Sequence, residues 1–275
     1  MKPTSIPFLL LVLLLISVAA HPQTSAAELD LGIAAYKNAH YEEAIWHFQK
    51  ATELDESNVR AHMYLATACV SQYIPGVDSQ DNLHIAERAI EQYQYVLNSD
   101  ADHEQKTNSA KGIAYLYMNL KKYEEAKDYY QKASGLDPKD AEPYYSVGVI
   151  DWTQCYQPRM EARARLGMRP EQNLNARIPA QLAACRDMQA KNTTFIEEGI
   201  DSLNKAIQLR PDYDDAMAYL NLMYRERADL ECDDLAARRQ DLKNADDWVD
   251  KTLAVKKAKA EKADRPVEST APNPQ

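Results

Sequence analysis

Four stretches of this 275-residue chain can be laid on one another, and this internal repetition constrains the fold more than any other feature. AIWHFQKATEL (Ala44 to Leu54) returns as AIEQYQYVLNS (Ala89 to Ser99), AKDYYQKASGL (Ala126 to Leu136) and GIDSLNKAIQL (Gly199 to Leu209). Each copy begins with a small residue and carries a large one four positions later. Most have a second small residue three further on, a spacing that marks one face of a helix. Two helices approach closely only where neither carries bulk, and Phe48, Tyr93, Tyr130 and Leu203 fill the gap beside such a contact. Asp137-Pro138 and Arg210-Pro211 end their helices, because proline disfavours helical geometry in the residue before it. A second helix precedes these, marked by Leu31-Gly32, Ile113-Ala114 and Val147-Gly148, and Tyr41 and Tyr123 open YEEA runs at the turns between. Seven glycines are too few for the turns of a β-sandwich, so the expected class is all-α.

A Leu-Gly pair, an Ala-x-x-x-aromatic step and a closing Pro resemble the tetratricopeptide-repeat family, whose period is about 34 residues. Copies begin near Ser25, Val59, Thr107, Ala141 and Asp214, and the resemblance covers residues 25–245. The family's early tryptophan is replaced by Glu28, His62, Ala110, Tyr144 and Met217. The resemblance implies a right-handed α-solenoid of about five helical hairpins, with insertions in the second and fourth and a C-terminal capping helix. The insertions follow from the spacing of the large residues: 45 residues from Phe48 to Tyr93, 37 to Tyr130 and 73 to Leu203. They fall at 72–84 and 154–194, between the two helices of a hairpin, and so emerge on the same side of the stack.

The long insertion reads as one or two short helices and carries seven Lys and Arg against three Asp and Glu, in a chain of net charge −10. Its cations can dock on an acidic partner or an anionic membrane surface. Their more ordinary use is to pair with the chain's own acidic helices. Four cysteines permit three complete pairings. Cys155 and Cys185 flank much of the insertion, and a bridge between them would pin it to the hairpin, whereas Cys69 in ALATACV reads as a small core residue.

Residues 1–20, with Lys2 and an apolar run from Phe8 to Ile16 ending in small residues, read as a cleavable signal peptide. Without cleavage the same segment would tether the chain to the membrane. The expected location is the periplasm or the extracellular space, as in an exported bacterial member of the family. The charged stretch after Tyr224 carries a thin apolar stripe of Leu235, Leu242, Trp248, Val249 and Leu253, suited to a terminal cap, and residues 246–263 are expected to form the C-terminal helix. Residues 264–275, with three prolines, read as a disordered tail.

The resemblance implies that the first helix of each hairpin lines a concave groove that binds a protein or peptide. The matching positions are Tyr36 and Lys37, then Met63, Tyr64 and Thr67, then Asn108, Lys111, Tyr115, Met118 and Asn119. The last two hairpins add Tyr145, Val149 and Trp152, and Tyr219, Leu222 and Arg225. Rings at such positions can bind a partner or pack between repeats. The lysine, asparagine and arginine set with which one subclass grips a C-terminal carboxylate is not reproduced, because Leu29 and Ile33 stand in the first copy. Net negative charge disfavours nucleic acid. With no HExxH, CxxC, GxSxG, phosphate loop or haem motif, the expectation is a non-catalytic adaptor without cofactor or metal. The alternative is a structural or self-assembling component of a cell-envelope complex.

Overall fold

The computed structural model describes residues 24–170 and 172–263, so the signal-peptide and tail readings lie outside the described residues. Those residues form ten helices and no strand: α1 Ser25–Lys37, α2 Tyr41–Leu54, α3 Val59–Gln72, α4 Gln80–Asn98, α5 His103–Asn119, α6 Tyr123–Leu136, α7 Ala141–Arg165, α8 Pro179–Leu209, α9 Asp214–Leu230 and α10 Leu235–Ala263. Each odd-numbered helix packs on the even one that follows, and each even one on the next odd one, as in an α-solenoid of hairpins.

Four of the five odd helices start with side-chain caps, α9 being the exception. Thr24, Asn58, Asp102 and Asp140 each accept a backbone N–H of the first turn, and Asp102 with Gln105 closes a capping box. Helices α2 and α6 lack such caps and instead carry Glu42 and Glu43, or Glu124 and Glu125, where the helix dipole favours negative charge. The turn before each is closed by a residue in the left-handed region, Ala39 and Lys121, both at φ 59°.

The small-residue rule takes a physical form at three glycines. A methyl group on Gly32 would stand 2.5 Å from the Phe48 ring, on Gly112 2.4 Å from Tyr93, and on Gly148 2.5 Å from Leu203. Three of the four sequence fillers therefore sit directly on glycine. Gly148→Ala is expected to cost about 1–3 kcal/mol through overpacking, seen as a lower urea midpoint.

The insertions do not form separate modules. The first is a short loop, residues 73–79, stapled by the buried Asn82 side chain, which accepts from Ile74 N (2.9 Å) and donates to Ile74 O (2.9 Å) and Val77 O (2.8 Å). The second, read as one or two short helices, instead lengthens both helices of the fourth hairpin, to 25 residues in α7 and 31 in α8, into an arm. Asn192, which opens an Asn-Thr-Thr acceptor sequence, is buried inside α8. The 245/246 boundary falls inside α10, a 29-residue helix antiparallel to α9: Asp241 pairs with Arg227 and Lys259 reaches Asp214. The inward residues of α10 are Asp241, Ala245 and Thr252 with Trp248 beside them, whereas Leu235 and Leu253 of the expected stripe point to solvent.

The core falls into two large clusters, one from α1 to α6, where α6 contributes Ala133, and one from α7 to α9. Between them lies a small one of Ala114, Ala126, Tyr130, Val147 and Ile150. This seam between α6 and α7 is also crossed by charge. Lys127 Nζ lies 2.8 Å from Asp151 Oδ1 and 2.7 Å from Glu198 Oε2, with the Asp151 side chain 0% exposed.

Candidate functional site

The first helices bring the mapped positions onto one surface in the N-terminal half. Tyr36 shares a 2.9 Å hydrogen bond with Ser71 of α3 and packs on Tyr41 at the hairpin end, while Lys37 is exposed. Tyr64 stacks on Phe48, with centroids 5.4 Å apart, and keeps one edge in a cleft of about 270 Å³ lined by Arg60, Met63, Tyr64, Thr67 and Gln105. Farther along, Asn108, Lys111, Tyr115, Met118 and Asn119 lie on one stripe of α5 by helical spacing. Tyr115 is 36% exposed and Asn108 is exposed, whereas the Asn119 amide donates back to Tyr115 O. Lys111 is already engaged: its ammonium lies 2.8 Å from both Asp140 and Glu142 and ties α5 to α7.

The mapped residues of the last two hairpins are turned on one another. Tyr145 meets Tyr213 (4.9 Å between centroids) and Tyr219 (5.8 Å), and Trp152 meets Tyr219 (5.4 Å) and Tyr156 (4.8 Å). Burial raises the Tyr145 hydroxyl pKa far above the usual phenol range. Arg225 donates to Asn221 and to Asp246 of α10. These rings join α7 to α9, and the mapped residues that are exposed are Lys37 of α1 and Asn108 and Tyr115 of α5.

Reading the sequence did not single out how the arm is fixed. Arg159 reaches Glu226 (2.9 Å) and Asp229 (2.9 Å), Arg163 reaches Asp229 (2.7 Å), and Arg238 of α10 completes the cluster at 3.4 Å. The signal was present as Arg159 with Arg163, one turn apart, and Glu226 with Asp229, three apart. Arg186 pairs with Asp233. Three cations of the basic insertion thus pair with acids of α9 and the α9–α10 turn, and Arg165 and Lys191 pair within their own helices with Glu161 and Asp187.

The disulfide also differs from the Cys155–Cys185 pairing. Cys185 bonds Cys232, Cα atoms 5.8 Å apart, and closes the arm onto the α9–α10 turn. Cys155 and Cys69 are free and buried, and desolvation pushes their thiols up to about 12 and about 11, which makes them unreactive. Among the described residues no group of His, Cys, Asp or Glu is placed to hold a metal ion, and no helix is long and apolar enough to cross a membrane.

Burial likewise raises Glu226 to about 7 and Asp151 to about 6, despite the cations beside them. The folded chain therefore keeps protons that the unfolded chain releases at about pH 4, so stability falls as pH rises from about 4 through about 7. A series of urea midpoints is expected to decline across that window and level off above it. A rise in midpoint there would contradict the assignment.

A family model described as "Tetratricopeptide repeat" matches residues 112–140, the second half of α5 and all of α6. No curated protein matches the sequence. Among solved structures, a crystal structure of MamA protein aligns at 15% identity and TM-score 0.55, covering 91% of this chain and 98% of that one. MamA 41-end from Desulfovibrio magneticus RS-1 aligns at 14% identity and TM-score 0.53, covering 85% and 96%. YrrB, described as a TPR protein with an unusual peptide-binding site, aligns at 14% identity and TM-score 0.51, covering 86% and 92%. At such identities the likeness is one of fold.

Proposed function

We propose that this chain, a tetratricopeptide-repeat protein, is a non-catalytic scaffold that holds a protein or peptide partner along the concave surface of α3 and α5. The observation that carries the reading is the cleft lined by Arg60, Met63, Tyr64, Thr67 and Gln105, continued on α5 by the exposed ring of Tyr115. A half-open tyrosine buries a large area at low entropic cost and leaves a hydroxyl for a partner's backbone. The peptide-binding site in the description of YrrB is consistent with this use of the fold. We place the site in the N-terminal half because the rings of the C-terminal half are spent on one another.

The scaffold is proposed to be exported to the periplasm or secreted. The apolar N-terminal segment supports this, and so does the Cys185–Cys232 bridge, since such bonds persist in oxidising compartments. Cell fractionation with thiol labelling tests it: recovery in the cytosol with four free thiols would refute it.

The binding reading is tested by cross-linking capture with the wild type and with an Arg60→Glu, Tyr115→Ala variant. A defined partner held by the wild type and lost by the variant, at unchanged helical circular dichroism, supports the groove. Retention of that partner by the variant would sink it. The self-assembly reading is favoured by one observation, the exposure of Leu31, Trp46 and Leu54 on the first hairpin. A homo-oligomer that persists on dilution and is abolished by Trp46→Lys would establish it.

A further inference from the structure

We infer that the cleft between the turn of the third hairpin and the arm of the fourth is a second docking site, shaped for an extended acidic segment of a partner protein that carries an apolar side chain. It lies on the hairpin-turn edge, its lining shares no residue with the mapped groove positions, and it does not depend on the groove reading. The cavity is about 730 Å³ and draws on three elements: Lys121 and Tyr123 at the turn, one face of α7 with Gln157 and Pro158, and one face of α8 with Lys191 and Phe195. Tyr123, Pro158 and Phe195 give it apolar walls, and Lys127 holds the Phe195 ring from behind, 5.4 Å from its centroid.

Its charge is the opposite of the molecule's. Within a chain of net charge −10, the lining includes two lysines and no carboxylate. Three carboxylates stand at its edge: Glu124 accepts from Gln154 (3.1 Å) and keeps its charge, Glu161 accepts from Gln157 (3.4 Å) and is paired with Arg165, and Glu198 is paired with Lys127. Lys121 is exposed, and Lys191 makes only a surface pair with Asp187, which an incoming carboxylate can replace at little cost. Across Lys121 a second cleft of about 200 Å³ is lined by Val77, Leu83 and Leu120. Asp78 and Asn119 also line that second cleft, so a segment in extended conformation can seat an apolar residue against Phe195 and set its carboxylates on Lys121 and Lys191, while the part that continues towards the insertion loop must be neutral or apolar. The wall is braced from behind, since the arm is fixed to α9 and α10 by the Asp229 cluster and the disulfide. Two lysines at a concave cleft do not suit a lipid surface, which calls for a cluster of about 4–8 basic residues.

The test is selection of displayed randomised short peptides on the purified full chain. Synthetic versions of the enriched peptides are then titrated by fluorescence anisotropy. The expected result is a class of peptides that combine Asp or Glu with an apolar residue. They bind the Lys121→Glu, Lys191→Glu variant more weakly by about tenfold or more, and the Arg60→Glu, Tyr115→Ala variant as well as the wild type. The milder Lys121→Gln, Lys191→Gln variant gives an intermediate loss, and circular dichroism of each variant verifies the fold. The proposal is overturned if no peptide is enriched, if the enriched peptides are insensitive to both lysine variants, or if they respond only to the groove variant. It is also overturned in favour of a membrane if phosphatidylglycerol vesicles, rather than peptides, are bound through these lysines.

Discussion

Replacing Lys127 by Met is expected to lower the stability of the chain by about 3–5 kcal/mol, measured as a fall in urea midpoint at neutral pH. The ammonium is the partner of Asp151 at 2.8 Å, and that carboxylate has no exposure to solvent. Without the lysine, a buried charge stands unpaired or takes up a proton, and either costs free energy. The penalty is therefore smaller at pH 5 than at pH 8, because burial already holds the Asp151 carboxyl at about 6. Lys127→Met with Asp151→Leu removes both charges and is expected to recover most of the loss. A double variant as unstable as the single one would show that the lysine acts through its packing and not through its charge.

Asp229→Ala is expected to cost a similar amount. One carboxylate serves Arg159 and Arg163 of α7 and Arg238 of α10, and the Arg163 side chain is 2% exposed. Once it is removed, the Arg163 guanidinium keeps, among the described residues, the carbonyl of Gln172 as its near acceptor (3.1 Å). Hydrogen exchange should quicken at the end of α7 and the start of α10 and remain unchanged in α1 to α4. The Cys185–Cys232 bridge spans the same joint across 47 residues, and such a bridge contributes about 2–4 kcal/mol. Reduction of the variant should thus release the arm, whereas reduction of the wild type should leave it in place. Equal exchange in variant and wild type would contradict this account.

The repeat could be read from the sequence because close packing leaves a local mark: Gly32 and Phe48 lie on the two helices of one hairpin, and the contact between them requires both a missing Cβ and a large ring. That extra residues enter the second and fourth hairpins was legible from the spacing of the large side chains. Their form was not, since a continuation of α7 through Pro158 depends on the packing of its far half on α9, which periodicity cannot register. The disulfide was misjudged because Cys232 lies 47 residues from Cys185 in sequence and is brought beside it only by the α9–α10 turn. Among the groove positions, spacing identified the face but not the neighbours. Lys111 meets acids 29 and 31 residues away, and Tyr145, Trp152 and Tyr219 find one another across adjacent first helices.

The divided core gives the array a property that an evenly packed rod lacks. Two blocks, α1 to α6 and α7 to α10, meet at a joint with few apolar residues and two lysine clasps, Lys111 and Lys127. In a stack where each unit touches only its neighbours, the weakest joint sets where the whole comes apart. A ligand long enough to lie over both blocks would bridge that joint, so its affinity would add directly to the resistance of the joint to opening. Such a ligand would turn two loosely coupled halves into one body, and the strength of the clasps would determine how much of its binding energy goes into doing so.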